Sequence, residues 1–134
     1  MLHILDTDMA SYAIKKRSPA LLERLSNLPP SETCISAITR AELLYGLARL
    51  APTHRLHVVV HEFLKIVRVL PWGADAPDYY ARIKHQLLSA GQPIGELDMM
   101  IAAHSIAAGA MLVTNNRRHY ERIELPISLA DWPI

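Results

Sequence analysis

The stretch Leu2-His3-Ile4-Leu5-Asp6-Thr7-Asp8 carries the pattern on which the architecture rests. Its apolar first half, residues 2–5, predicts a short buried strand. The residues that follow, up to about Lys16, have the spacing of a helix. The chain is therefore expected to open with a strand that passes directly into a helix, with a carboxylate, Asp6, at the junction.

The same kind of junction recurs three times downstream. An apolar run meets a carboxylate or amide in Ile38-Thr39-Arg40-Ala41-Glu42, in Ile94-Gly95-Glu96-Leu97-Asp98 and in Leu112-Val113-Thr114-Asn115-Asn116. Further strands are predicted at 34–38, 67–70, 111–113 and 127–129, and helices at 19–28, 39–47, 53–66, 76–89 and 97–108. This alternation predicts an α/β fold, with a parallel sheet of four to five strands and helices on both faces.

Composition limits the class of protein. The chain has 134 residues, of which 51% are hydrophobic and 6% aromatic, enough for one core and one domain over residues 1–134. A net charge of +1 gives no overall attraction to nucleic acid or membrane, so a phosphate-binding surface has to be local. The lone Cys34 forms no internal disulfide, and neither a signal peptide nor a membrane span is predicted, so a cytoplasmic protein is expected.

Most of the acids have a structural explanation as well as a functional one. Thr39 and Glu42 have the spacing of a capping box, and Asp8 could cap the first helix. Asp98 falls in a first helical turn, where the helix dipole favours a negative group. Asp6 ends a buried strand, where a carboxylate has to be paired, solvated or bound to a cation. Capping does not predict that these groups meet, whereas a parallel sheet brings strand ends to one edge.

In order and spacing, the four junctions resemble the PIN-domain ribonucleases, and within them the VapC toxins of bacterial toxin-antitoxin modules. The resemblance extends through Ile35-Ser36-Ala37-Ile38-Thr39-Arg40-Ala41-Glu42-Leu43-Leu44-Tyr45-Gly46, through Asp98-Met99-Met100-Ile101-Ala102-Ala103-His104 and through Asn115-Asn116-Arg117-Arg118. It spans nearly the whole chain. It implies a single PIN-like domain over residues 1–134, built as a three-layer sandwich.

The resemblance also implies the site. Asp6, Glu42 and Asp98 correspond to acidic metal-site residues, and Asn116 occupies a catalytic position where many members of the family have a fourth acid. An amide brings no charge to attract a second cation, so one Mg²⁺, replaceable by Mn²⁺, is expected. A supporting role is expected for Thr114 and Asp8, although a turn or capping role explains either residue equally well.

The activity implied by the resemblance is Mg²⁺-dependent endoribonuclease activity. Metal-activated water would attack the phosphodiester and leave a 5′-phosphate and a 3′-hydroxyl. The family precedent favours transfer RNA as substrate, a VapB-like antitoxin as partner and a homodimer as assembly. Leucine-rich helix faces at 21–28 and 43–47 are the candidate surface for the antitoxin.

Two basic clusters are present, and they receive different interpretations. Arg117 and Arg118 would lie beside Asn116, where they could contact RNA phosphates. Lys15-Lys16-Arg17 is interpreted mainly as a solvated run of charge. His54, His57 and His61 have helical spacing but are explained by an exposed helix face, and His104 by packing.

Other activities fit the sequence less well. Asp6-Thr7-Asp8 also begins like the motif of haloacid-dehalogenase-like phosphatases, but Ala10 and the lack of a later acidic pair argue against that class. A receiver-type signalling domain would need an acid where Leu70-Pro71-Trp72 stands. The main alternative is a catalytically silent PIN-like module that binds RNA or protein, with Asn116 as the sign of lost metal affinity.

Overall fold

The structure, a computed structural model, describes residues 1–134 and is built around one sheet of five parallel strands. The strands are β1 (His3–Leu5), β2 (Thr33–Ser36), β3 (Arg68–Leu70), β4 (Met111–Thr114) and β5 (Ser128–Asp131). Their spatial order is β3-β2-β1-β4-β5, so the predicted fifth strand lies at one edge. The prediction of a parallel α/β sheet is confirmed.

Seven α-helices connect and cover the strands. They are α1 (Thr7–Lys15), α2 (Pro19–Ser26), α3 (Ala37–Ala48), α4 (Leu56–Ile66), α5 (Ala76–Ser89), α6 (Glu96–Ala107) and α7 (Arg117–Glu121). A short 3₁₀ turn, Pro30–Glu32, and α7 were not predicted from the sequence. The predicted strand at 34–38 was too long, because α3 begins at Ala37, directly after the Ser36 side chain accepts the Ile38 backbone N–H.

The register of the central strands explains the three layers. Ile4 lies beside Cys34 and Leu112, and all three face a core that contains apolar side chains of α5, α6 and α7. The next row, Leu5 with Ile35 and Val113, faces the opposite core, against α1, α2, α3 and α4. Because successive residues of a strand point to opposite faces, a strand with apolar residues at successive positions supplies both cores.

The strand order creates a crevice at the carboxyl end of the sheet. From β1 the chain moves outward to β2 and β3, and then returns past β1 to form β4 and β5 on its other side. The order therefore reverses between β1 and β4, and ligands of open α/β sheets bind outside such a point. The Asp6 backbone N–H donates to the Val113 carbonyl oxygen at 3.0 Å, which holds the two strand ends together at this crevice.

Two other predictions are answered by burial. Cys34 is fully buried, and burial raises the pKa of its thiol to about 11, so it packs as a small apolar side chain and is not a reactive thiolate. His104 is also buried, with Nδ1 2.7 Å from the Ser36 hydroxyl. None of the helices has the length and apolar character needed to cross a bilayer.

Candidate active site

Asp6 lies in the crevice because it connects the end of β1 to the start of α1. It is only 4% exposed, and its Oδ1 accepts the Met9 backbone N–H at 2.9 Å as the N-cap of α1. Burial raises its pKa from 3.8 to about 6, against the opposing effect of hydrogen bonds from the Thr114 side chain and the Met9 amide. The helix start is capped by Asp6, so the alternative role of Asp8 as N-cap is wrong.

Glu42 does not form the predicted capping box. Since α3 begins at Ala37, Thr39 is inside the helix and fully buried, and Glu42 lies in the second helical turn. The Thr7 hydroxyl donates to Glu42 Oε1 at 2.6 Å and lies 3.1 Å from the Thr39 hydroxyl. Glu42 is therefore held against the start of α1 rather than against its own helix terminus, which removes the structural explanation for an acid at this position.

Asp98 reaches the crevice from the first turn of α6. Burial raises the pKa of its carboxyl, while the Tyr120 hydroxyl, which hydrogen-bonds to it, and the nearby His119 act in the opposite direction. The carboxylate folds back over Gly95, where an added Cβ would come within 3.2 Å of Asp98 Oδ2. The absence of a side chain at residue 95 thus leaves space for the acid.

The carboxylates are close enough to repel one another. The negative charge of Asp98 raises the pKa of both Asp6 and Glu42, and the exposed Asp8 raises the pKa of all three acids. Four acids from α1, α3 and α6 therefore share one electrostatic environment, which we call the acidic crevice (Asp6, Asp8, Glu42 and Asp98). Like charges brought together in this way favour the binding of a cation.

Asn116 and Thr114 line the β4 side of the crevice. The buried Thr114 hydroxyl accepts the Asn116 backbone N–H at 2.9 Å. The same hydroxyl donates a hydrogen bond to the Asp6 carboxylate. The Asn116 side-chain nitrogen lies 2.8 Å from His119 Nδ1, so His119 orients this amide. Asn116 makes no direct hydrogen bond to the acids. It is linked to them through His119, which interacts electrostatically with Asp98.

Tyr120 is a site residue that was not predicted from the sequence. It is 2% exposed, and its ring packs in the core against α5 and α6 while its hydroxyl reaches Asp98. Burial, and then the negative charges of Asp6, Asp98 and Asp8, raise the pKa of the hydroxyl, so Tyr120 stays protonated and donates. The sequence feature that could have indicated Tyr120 is the pair His119-Tyr120, one helical turn after Asn116. It was missed because α7 was not predicted.

The donor atoms of the crevice fit a hard, hydrated cation. Carboxylate, amide and hydroxyl oxygens are the ligands that Mg²⁺ prefers, and Mg²⁺ keeps several of its waters. No three His, Cys, Asp or Glu side chains stand in the tight arrangement that would enclose an ion directly. Instead, the oxygens of Asp6, Glu42 and Asp98 accept hydrogen bonds from Met9, Thr7 and Tyr120. Binding partly through water suits this looser arrangement better than a closed zinc-type site does.

The two basic clusters differ in their ion pairing. Arg117 forms an ion pair with Glu121 one turn along α7, at 2.6 Å, which offsets its charge. Lys15, Lys16 and Arg17 are exposed and make no ion pair. His54, His57 and His61 do not form a metal cluster. His54 Nδ1 instead accepts the Leu56 backbone N–H at the start of that helix.

Comparison with known proteins identifies the family of the chain. Residues 3–124 match the model of the PIN domain family. The chain is 39% identical over 130 residues to the tRNA(fMet)-specific endonuclease VapC of Salmonella typhimurium, and 35% identical over 129 residues to the protein of the same name in Shigella flexneri. Each alignment covers 96% of both chains. A crystal structure of DNA-bound VapBC from Salmonella typhimurium superposes with a TM-score of 0.89 at 37% identity, covering 99% of this chain and 100% of that one.

Proposed function

The chain belongs to the PIN-domain family and is a VapC-type ribonuclease, and we propose that it hydrolyses RNA phosphodiesters with Mg²⁺, with transfer RNA as its favoured substrate. The observation that carries the proposal is the convergence of Asp6, Glu42 and Asp98 in one crevice at the carboxyl end of the sheet. The chain is the toxin of a toxin-antitoxin pair, as the VapC proteins are.

The acids have distinct parts in this proposal. Asp6, Glu42 and Asp98 would hold the cation, directly or through its waters, and Mn²⁺ would substitute for Mg²⁺. When bound, the cation supplies positive charge that activates water and offsets the charge that develops on the phosphate oxygens. With a pKa of about 6, Asp6 is mostly ionised at pH 7 and can take part in binding.

The polar neighbours would orient the site. Thr7 and Tyr120 fix one oxygen of Glu42 and Asp98, which leaves the remaining lone pairs for the cation or its waters. Asn116, oriented by His119, would accept or donate one hydrogen bond to the attacking water or to the phosphate. It contributes no charge, which supports one cation rather than two.

The transfer-RNA preference rests on the relatives. The Salmonella typhimurium and Shigella flexneri proteins are named as endonucleases specific for tRNA(fMet). A crevice at the edge of a sheet is open to unpaired nucleotides, and sequence-specific RNA recognition usually targets single-stranded loops. We therefore expect cleavage in a transfer-RNA loop.

For the antitoxin, we propose the groove between α1, α3 and α4. It has a volume of about 350 Å³, and its walls carry Leu43, Leu47, Leu50, Leu56 and Val60 beside Thr7, Asp8 and Glu42. A VapB-like segment lying here would cover apolar surface and block the crevice at the same time. On the other predicted face, Leu21 of α2 is fully buried in the core, whereas Leu22, Leu25 and Leu28 are half-buried. Homodimerisation remains a prediction from the family.

The test is cleavage of total RNA by the purified chain, with Mg²⁺, with Mn²⁺ and with EDTA, followed by sequencing of the fragment ends. We expect few cleavage sites, concentrated in transfer RNA, with 5′-phosphate and 3′-hydroxyl ends and no products in EDTA. Fragments with 2′,3′-cyclic phosphate ends would contradict the mechanism, since they arise when the RNA's own 2′-hydroxyl attacks. RNA that is bound but never cut would instead indicate a silent binding module.

A further inference from the structure

A basic groove lies next to the acidic crevice, at the junction of α1 and α4. It has a volume of about 480 Å³, and its residues are Ile14, Lys15, Lys16, Arg17, His54, Arg55, Leu56 and Val59. The polar residues sit on the rim and are exposed, whereas the apolar ones are buried or half-buried. The groove therefore has an apolar floor and a cationic rim, and we call it the basic groove.

The basic groove is continuous with the crevice. It shares Ile14, Lys15 and Leu56 with the groove that contains Thr7, Asp8 and Glu42. A third depression, of about 280 Å³, places Lys15 and Arg17 beside Asp8. Lys15 borders all three surfaces. The distance from Thr7 to Lys15 along α1 is about 12 Å, at 1.5 Å per residue, so a single strand of a few nucleotides can extend from one to the other.

The charges of this rim are uncompensated inside the protein. Lys15, Lys16, Arg17 and Arg55 take part in none of the four ion pairs of the structure, and the side-chain hydrogen bonds of lysine and arginine come from other residues. Arg117, in contrast, is paired with Glu121. Unpaired cations held together at the surface repel one another, and a polyanion relieves that repulsion while it releases its own counterions.

We propose that the basic groove is the path of the RNA backbone on one side of the scissile phosphate, with Lys15, Arg17 and Arg55 as its phosphate contacts. This inference rests on the proposed ribonuclease function and assigns it a substrate-binding surface. It replaces the interpretation of Lys15-Lys16-Arg17 as a solvated charge run, and it places the main RNA contacts on α1 and α4 rather than on α7. The apolar floor at Leu56 and Val59 suits the faces of unpaired bases.

The experiment compares two double variants that each remove two positive charges. Lys15→Gln/Arg17→Gln changes the basic groove, and Arg117→Gln/Arg118→Gln changes α7. Binding of a fluorescent single-stranded RNA is measured by anisotropy in EDTA between 50 and 300 mM salt, roughly the range over which phosphate contacts are titrated. Steady-state cleavage with Mg²⁺ is measured in parallel.

We expect the groove variant to bind RNA about tenfold more weakly and to lower the slope of log K against log salt by about 1.4, the value for two phosphate contacts on a single strand. In cleavage, KM should rise while kcat stays near its normal value. The α7 variant should change both quantities less. A charge-preserving variant, Lys15→Arg/Arg17→Lys, should restore binding, because phosphate contact depends mainly on charge.

Two results would overturn the inference. One is equal RNA affinity and salt slope in the groove variant and the unmodified chain, or a larger effect from the α7 variant. The other is loss of binding to an acidic peptide, poly-glutamate, without any loss of RNA binding, which would assign the groove to a protein partner. The proposed function fails separately, if the unmodified chain cuts no RNA although its binding depends on Lys15 and Arg17.

Discussion

The acidic crevice and the basic groove lie side by side but differ in the burial of their charged groups. Asp6 is buried, and its neighbours Glu42 and Asp98 are partly buried, all three with a pKa raised by burial and by one another. The cations of the groove are exposed and make no ion pair. Although Asp8 lines the same depression as Lys15 and Arg17, the two sets of charges form no ion pair with each other.

Under the proposed function, the two surfaces have different roles. Ion pairs between crevice and groove would stabilise the chain, but they would neutralise the charge that a cation and a phosphate each require. The acids are therefore held by hydroxyls and backbone amides, such as Thr7, Tyr120 and the Met9 N–H, which orient them without neutralising them. Changes in the crevice should alter kcat, and changes in the groove should alter KM.

The largest effect is expected for Asp6→Asn. Removal of this charge should lower kcat by about 10³-fold, comparable to the loss of a major electrostatic contribution in other enzymes, while RNA affinity in EDTA is unchanged or higher. Asn can still cap α1, and loss of a buried charge should raise stability at pH 7 by on the order of 1–3 kcal/mol. Single-turnover cleavage and thermal melting measure the two effects, with the exposed Asp75→Asn as matched control. A variant that keeps its activity would show that Asp6 takes no part in catalysis.

Glu42→Gln should have the next largest effect. Because the residue is not part of a capping box, Gln preserves the contact with Thr7 but loses charge from the crevice, so activity should fall about 10- to 100-fold without loss of stability. Isothermal titration with Mn²⁺ should show weaker binding in parallel. Normal activity combined with a lower melting temperature would restore a purely structural role for Glu42.

The pH dependence should separate the crevice from the groove. Asp6 has a pKa of about 6, so cleavage should fall about tenfold for each pH unit below 6 as the carboxyl is protonated. RNA binding in EDTA should not weaken, because the groove cations keep their charge. Between pH 3.8 and 6 the folded chain binds more protons at Asp6 than the unfolded chain, so the contribution of this residue to stability decreases as pH rises. In Asp6→Asn this contribution should be absent, and a cleavage profile that stays flat down to pH 5 would contradict the assignment.

The smallest effect is expected for Tyr120→Phe. The ring stays in the core, but Asp98 loses a hydrogen-bond donor, so Mn²⁺ affinity and kcat should decrease by about fivefold to tenfold. KM for RNA should not change. Tyr79→Phe removes the hydroxyl of a partly buried tyrosine that packs against the same core, and it serves as the control. If both variants behave alike, Tyr120 contributes packing and does not position Asp98.

Much of the fold could be predicted because its signals are local. Short apolar runs that alternate with helical spacing indicated all five strands and six of the seven helices, and the bounds of α5 agree at both ends. The start of α3 was placed too late, because Thr39 and Glu42 imitate a capping box while the actual cap, Ser36, is hidden at the end of an apolar run. α7 was missed because five residues are too few to show a period.

From the sequence alone it could be predicted that the acids meet, since each acid follows an apolar run and such runs end on one side of a parallel sheet. The sequence could not determine the partners of those acids. Three arrangements depend on contacts between residues at least 22 positions apart. Glu42 binds Thr7, Tyr120 hydrogen-bonds to Asp98, and the cations at the end of α1 line one groove with Arg55 at the start of α4. Such contacts leave no periodic trace in the chain, so only the packing of helices around the sheet decides which charges are neutralised and which remain free to bind.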